Sequence, residues 1–126
     1  MHKSQLAGMI IDCQTDDLDP AAAFWSQALG LEIAPPPAVD DPNYTKLKTH
    51  TGDLYVEVQT VTHPSRVHLD IETNDIEAEV KRLEKLGATR LGRVKAWVVM
   101  EAPTGQRFCV VPAENKRFDE TANLWP

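Results

Sequence analysis

At 126 residues, with 42% hydrophobic and 25% charged residues, the chain has the size and composition of a single soluble globular domain. A formal net charge of −6 argues against a nucleic-acid partner, which calls for a basic stripe. No apolar run approaches the roughly 18 residues that cross a bilayer. The N-terminal MHKSQLAGMIID has no apolar signal core, so the expected location is the cytoplasm. Two cysteines, Cys13 and Cys109, suit a reducing compartment as small hydrophobes.

Residues 5–14 are read as a first strand after a loose N-terminus. Met9, Ile11 and Cys13 alternate with Ile10, Asp12 and Gln14, one face wetter than the other. Asp19 is the expected N-cap and Pro20 the first helical residue. Ala21 to Leu29 is the helix, with Phe24, Trp25, Ala28 and Leu29 as its apolar face and Gly30 as its stop. Leu31 to Ala34 is a short strand. Pro35-Pro36-Pro37, continuing to Pro42, is the one breaker-rich loop, either a stiff surface loop or a lip over a cavity.

Asn43 to Thr49 and Leu54 to Val61 are read as antiparallel strands joined at Thr51-Gly52-Asp53. In the second, Leu54, Val56 and Val58 face one way and Tyr55, Glu57 and Gln59 the other. The strand Arg66 to Thr73 puts Val67, Leu69 and Ile71 on one face and His68, Asp70 and Glu72 on the other. The helix Asp75 to Leu86 carries Ile76, Val80, Leu83 and Leu86 on one stripe, its Glu and Lys residues on a solvated face, and Gly87 at its end. Thr89 to Arg93 is a short strand. Val94 to Glu101 and Gln106 to Val111 form a last hairpin around Pro103-Thr104-Gly105. The polar tail 113–126 ends in a Trp125 that should dock on the rest of the chain.

The chain repeats itself. Asp12, Thr15 and Asp17 recur fifty-eight positions on as Asp70, Thr73 and Asp75, and Leu29-Gly30 is echoed by Leu86-Gly87. Thr51-Gly52 before a strand is echoed by Thr104-Gly105 before a strand. This is a duplicated supersecondary unit: strand, helix, three strands, twice. The fold class is therefore α+β, two tandem βαβββ modules. Module 1 spans about 5–62, module 2 about 66–112, and a C-terminal tail 113–126, all in one domain. Each module has one helix and so leaves one sheet face open for a pocket or an interface.

Ile11-Asp12-Cys13, Asp19-Pro20, Phe24-Trp25, Leu29-Gly30-Leu31, His68-Leu69-Asp70, Trp97-Val98-Val99 and Pro103-Thr104-Gly105 leading to Phe108-Cys109-Val110-Val111 carry a resemblance. In that order the chain resembles the vicinal-oxygen-chelate superfamily of glyoxalase I, extradiol dioxygenases and bleomycin-binding resistance proteins. It is similar above all to the small bacterial glyoxalase-like domain proteins. The resemblance implies mostly antiparallel, curved sheets around a cavity, a small-molecule ligand and a homodimer.

In the metal enzymes of that superfamily, the first and last strands of each module supply the ligands, usually His or Gln and then Glu. Carried over, the resemblance gives His68, a match, and Ile10, which cannot ligate. At the last-strand positions it gives Cys109 in place of Glu, and either Val56 or Glu57 according to register. Alternation favours Glu57, because a charge on the helix-packed face is costly to bury. A divalent metal is thus left with two weak candidates, His68 and Glu57, where catalytic sites usually have about three protein ligands.

The implied cavity is lined by Gln14, Tyr55, Glu57, Gln59, His68, Asp70, Trp97 and Cys109. Glu57 is the candidate acid or base and His68 its partner, for lyase or isomerase chemistry on an unassigned substrate. His68 has an equal plainer reading, a polar residue hydrogen-bonded to Glu57 or Asp70. Cys109 reads as inert core or cavity wall. The non-catalytic alternative is a ligand-sequestering protein of the bleomycin-resistance kind.

Overall fold

The backbone signals of the sequence are realised as eight strands and three helices among the described residues of a computed structural model, 1–35, 42–50 and 52–126. The proline-rich stretch 36–41 and Thr51 lie outside the described residues. The chain forms two compact units, Met9–Val67 and Met1–Gly8 with His68–Pro126, here the first and second unit. No helix of the described residues is long and apolar enough to cross a membrane.

In the first unit, β1 (His2–Gln14, its residues from Met9 on) leads to α1 (Leu18–Leu29), β2 (Tyr44–Leu47) and β3 (Tyr55–Val61), in the order β2-β3-β1. β2 and β3 pair antiparallel, with Lys46 opposite Glu57 and Leu47 opposite Val56. The expected short strand before the proline loop is reduced to one bridge, Ile33 to Leu47. The helix starts earlier than expected and is preceded by Asp17 in extended geometry, not by Asp19. Gly30 ends it at φ 69, a left-handed turn that glycine enters without a Cβ penalty.

The apolar face expected of α1 is corrected. Phe24 is 61% exposed and Leu29 47%, whereas Ala22 is buried. The small Ala22 sits inside, Trp25 stays half-buried, and Phe24 and Leu29 are turned outward. The face-to-face contrast expected along β1 is also corrected, because Ile10, Ile11 and Asp12 are buried in succession. Burial of successive residues erases the alternation that a strand with one wetted face would show.

The second unit holds the first residues of β1, then β4 (Arg66–Thr73, from His68), α2 (Ile76–Lys85), β5 (Thr89–Val94), β6 (Trp97–Glu101) and β7 (Arg107–Pro112). A short α3 (Phe118–Thr121) and β8 (Asn123–Trp125) complete it. Strand order is β1-β4-β7-β6-β5, with β8 on β1. β4 and β7 run parallel, whereas β7–β6 and β6–β5 are antiparallel. The N-terminus is not loose: β1 begins at His2, and His2 and Ser4 are buried. As expected, Trp125 docks, opposite His2 on β8 with its Nε1 donating to Ser4 Oγ at 2.8 Å.

α2 covers one face of this sheet. Val80 and Leu83 of the helix meet Val98, Met100 and Val110 in a core flanked by Ile71, Ile76, Ala88 and Phe108. Leu86, expected on the same stripe, is 67% exposed. The helix has already ended there: Gly87 (φ 106) and Ala88 return their amides to the Glu84 and Leu83 carbonyls.

The expectation that every Glu and Lys of α2 faces water fails at Glu79, which is fully buried. At the other end, Asp75 accepts from the Ala78 amide at 3.1 Å and caps the helix. Replacing Asp75 with alanine is expected to cost about 1 kcal/mol, read as a few degrees off the thermal midpoint.

Candidate functional site

Strand alternation builds the candidate surface. In β4 of the second unit, Ile71 packs toward the α2 core, so His68, Asp70 and Glu72 point to the opposite face. The parallel ladder sets Asp70 opposite Cys109, and the antiparallel ladder sets Cys109 opposite Val99. Trp97 lies two residues from Val99 on the same face, and both are half-buried while Val98 and Met100 are buried beneath α2. This open face therefore joins an imidazole, a carboxylate, a thiol, an aliphatic side chain and an indole.

Three of these groups converge. One ligand atom each from His68, Asp70 and Cys109 lies within 4.8 Å of the others. His68 Nε2 and Asp70 Oδ1 are 3.6 Å apart, with 12% and 9% of their side chains exposed. Of the two plain partners expected for His68, the structure thus places Asp70 beside it. Lys95 Nζ sits 5.9 Å from the Trp97 ring centroid, a cation over an aromatic face.

Glu72 points the same way but does something else. It is 1% exposed, and its carboxylate accepts from the Glu114 and Asn115 amides at 2.8 and 3.1 Å and from Gln5 Nε2 at 2.9 Å. Its lone pairs clamp the chain after β7 and are spent on structure.

The other expected residues belong to the first unit. Val58 is buried on the helix side of β3, so Tyr55, Glu57 and Gln59 face away from it. Glu57, 17% exposed, has Lys46 Nζ at 3.7 Å, and that ammonium also stands 5.2 Å from the Tyr55 ring centroid. Gln59 pairs with Tyr44 in the ladder. Gln14 is tied to the end of this unit: its amide donates to Ser65 Oγ at 2.9 Å and its Nε2 to the Thr62 carbonyl at 3.0 Å. Buried Asp12, the counterpart of Asp70, takes the Arg66 Nε at 3.4 Å. Burial pushes the Cys13 thiol up, against a hydrogen bond with Trp25, so it stays protonated at neutral pH.

Sequence reasoning missed the network around Glu79. His2 Nε2 lies 2.8 Å from its Oε1, and Arg82 donates to both oxygens at 2.7 and 2.8 Å. The Arg82 guanidinium stacks 3.9 Å over the Trp125 ring. Burial alone would raise the Glu79 carboxyl, but hydrogen bonds from Arg82, Ser4 and His2 outweigh it and hold it below the ordinary carboxylate range. The available signal was spacing, because Glu79 stands at i+3 from Ile76 on the buried stripe. A shallow groove of about 480 Å³ between Lys81, Lys85 and Trp125 borders this network, and a second of about 480 Å³ lies by Leu31, Lys48 and His50 in the first unit.

The fold, the repeated strand-helix-strand order and the half-polar open faces define an α+β class with one helix-covered and one open sheet face in each unit. Residues 8–111 match the family model of the glyoxalase-like domain, and the chain belongs to that family.

Solved structures agree on the fold. The Mn(II)-bound glyoxalase of Novosphingobium aromaticivorans is 15% identical, with a TM-score of 0.59 over 93% of this chain and 44% of its own. Homoprotocatechuate 2,3-dioxygenase of Brevibacterium fuscum is 16% identical, with a TM-score of 0.57 over 93% of this chain and 40% of its own. This chain therefore spans under half the length of either enzyme. Methylmalonyl-CoA epimerase of Mycobacterium tuberculosis is 17% identical, with a TM-score of 0.55 over 86% of this chain and 88% of its own. No curated protein matches the sequence.

The four-position ligand set of the superfamily's metal enzymes does not fit this chain. One position is Ile10, buried and without a donor atom, and another is Cys109, a sulfur where a carboxylate is needed. A metal held in that way would lack a ligand at the first position and meet a thiol at the second.

Proposed function

We propose that the protein binds a small organic molecule against the open sheet face of its second unit. One observation carries this: α2 buries only the Val98, Met100 and Val110 side, while the reverse side groups half-buried Trp97, Val99, Cys109 and His68 with buried Asp70. An aromatic and an aliphatic wall with a few convergent polar groups is the usual make-up of a ligand site. The chemistry proposed with turnover is that of a lyase or isomerase. On the open face of the first unit, taken by itself, Glu57 is proposed as acid or base, a half-buried carboxylate attended by Lys46. Binding without turnover would make the protein a sequestering one. The proposed working form is a cytoplasmic homodimer, in keeping with two free cysteines; light scattering reads the oligomer.

The test is amide NMR with a library of small carboxylates and aromatic cations, in the presence of a chelator. Saturable shifts should cluster at the Trp97 indole, Val99 and Cys109, and His68→Ala should weaken the best ligand about tenfold, or ~1.4 kcal/mol. Shifts confined to the α2 side, or no saturable binding, would end this reading.

A further inference from the structure

We infer that Gly92 and Lys95 set the length and charge of the ligand: a slim, elongated organic anion lying across the strands, with a hydrogen-bond donor at Asp70 and its anionic end at the edge strand β5. The inference rests on the reading above, that the open face of the second unit holds the ligand.

Register places Gly92. On β5, Arg90 stands opposite Met100 and Arg93 opposite Val98, on the side that α2 covers, and both guanidiniums reach Glu77 of that helix at 3.1 Å. Gly92, opposite Val99, therefore belongs to the open face. The ladders continue the row, with Val99 opposite Cys109 and Cys109 opposite Asp70. Trp97 and Val94 flank it on one side, and the ion pair of Arg107 with Glu101, at 3.3 Å, on the other. With neighbouring strands about 4.8 Å apart, the row runs roughly 14 Å from Asp70 to Gly92. The side chains of Asp70 and Lys95 take up part of that span.

Nothing in the fold calls for glycine at this place. Glycine weakens the interior of a strand. The ladder with β6 is irregular between Arg90 and Gly92, and a bulge can demand a left-handed glycine. Gly92 has no positive φ, so that demand is absent. Crowding is absent too, because a Cβ here would meet no heavy atom within 4 Å. The missing side chain instead leaves the row open at the sheet edge, where a ligand can pass close to the backbone.

Charge then selects the ligand. Lys95 follows at the turn into β6 and is the one non-glycine residue with positive φ, 51°, among the described residues. A strained position of this kind recurs where ligands are held. Its ammonium stands 5.9 Å from the Trp97 ring centroid, at the edge end of the row. Arg90 and Arg93 are engaged on the opposite side, so an anion arriving here meets Lys95. At the inner end, the Asp70 carboxylate beside His68 calls for a donor. Between the two, Val99 and Trp97 offer aliphatic and aromatic surface to a slim apolar body.

The experiment follows amide and indole NMR shifts of the whole protein, under chelator, on titration with 8-aminooctanoate, 8-aminooctanamide and 4-aminobutanoate. Expected is saturable binding of 8-aminooctanoate, with shifts running from Asp70 through Cys109 and Val99 to Gly92 and the Trp97 indole. The amide lacks the anion for Lys95 and 4-aminobutanoate lacks the reach, so each should bind about tenfold more weakly. Gly92→Val puts a side chain that suits a strand into the open space. It should weaken 8-aminooctanoate about tenfold and leave 4-aminobutanoate unchanged. Lys95→Gln should bring 8-aminooctanoate down to the level of its amide. If Gly92→Val fails to fold, Gly92→Ala carries the same comparison with a smaller loss. Undiminished binding in a folded Gly92 variant, no preference for the longer acid, or no saturable shift with any of the three probes would overturn the inference. The reading above stands or falls by its own library of small carboxylates and aromatic cations, so the two failures are distinguishable.

Discussion

Replacing Glu79 with alanine is expected to destabilise the protein by about 3 kcal/mol. The carboxylate is fully buried and is the common acceptor for His2 and for both arms of Arg82. Removing it strands a buried imidazole and a guanidinium that is only 25% exposed. It also loosens the stack of Arg82 on Trp125, and with it the docking of β8 on β1. Thermal melts at neutral pH should show a drop of about 10 °C. A loss of less than 1 kcal/mol would mean that the network is a solvated surface pair.

The same group sets a pH dependence. Its folded pKa lies below the unfolded carboxylate value of about 4.3. Its contribution is therefore complete above that value and is lost as the pH falls through the folded pKa. Wild-type melting temperature should fall on the acid side of about pH 4, and Glu79→Gln should flatten that part of the curve.

Glu72→Ala is the second large effect, expected at about 3 kcal/mol. Two backbone amides, of Glu114 and Asn115, and the Gln5 side chain all depend on this one buried carboxylate. Fully buried donors left without an acceptor cost about 1–3 kcal/mol each, and because these donors are only partly buried, water entering the gap recovers part of that. Because Glu72 joins the segment after β7 to β4 and β1, the variant should also speed amide exchange at Glu114 and Asn115 before the core opens. Unchanged exchange there would show that the clamp is not needed.

These two carboxylates mark the limit of what could be read along the chain. Both stood at informative positions, Glu79 on the apolar stripe of α2 and Glu72 on the alternating face of β4. Position alone does not distinguish a solvated glutamate from a buried one. The difference lies in partners far away in sequence: His2 is 77 residues from Glu79, and Asn115 is 43 residues from Glu72. Phe24 and Leu29 show the converse, because hydrophobicity at helical spacing does not say which side of a short helix meets the sheet.

By itself the sequence determined what depends on neighbouring residues. The repeated element order, the left-handed Gly30 and Gly87 and the shared face of His68 and Asp70 all follow from turn chemistry and periodicities of 3.6 and 2. Only the tertiary structure decided that β7 lies parallel beside β4 and brings Cys109 to His68 and Asp70. It likewise decided that both chain ends pack around Glu79. Strand pairing and register between distant segments are set by packing of the whole unit, for which no local rule exists.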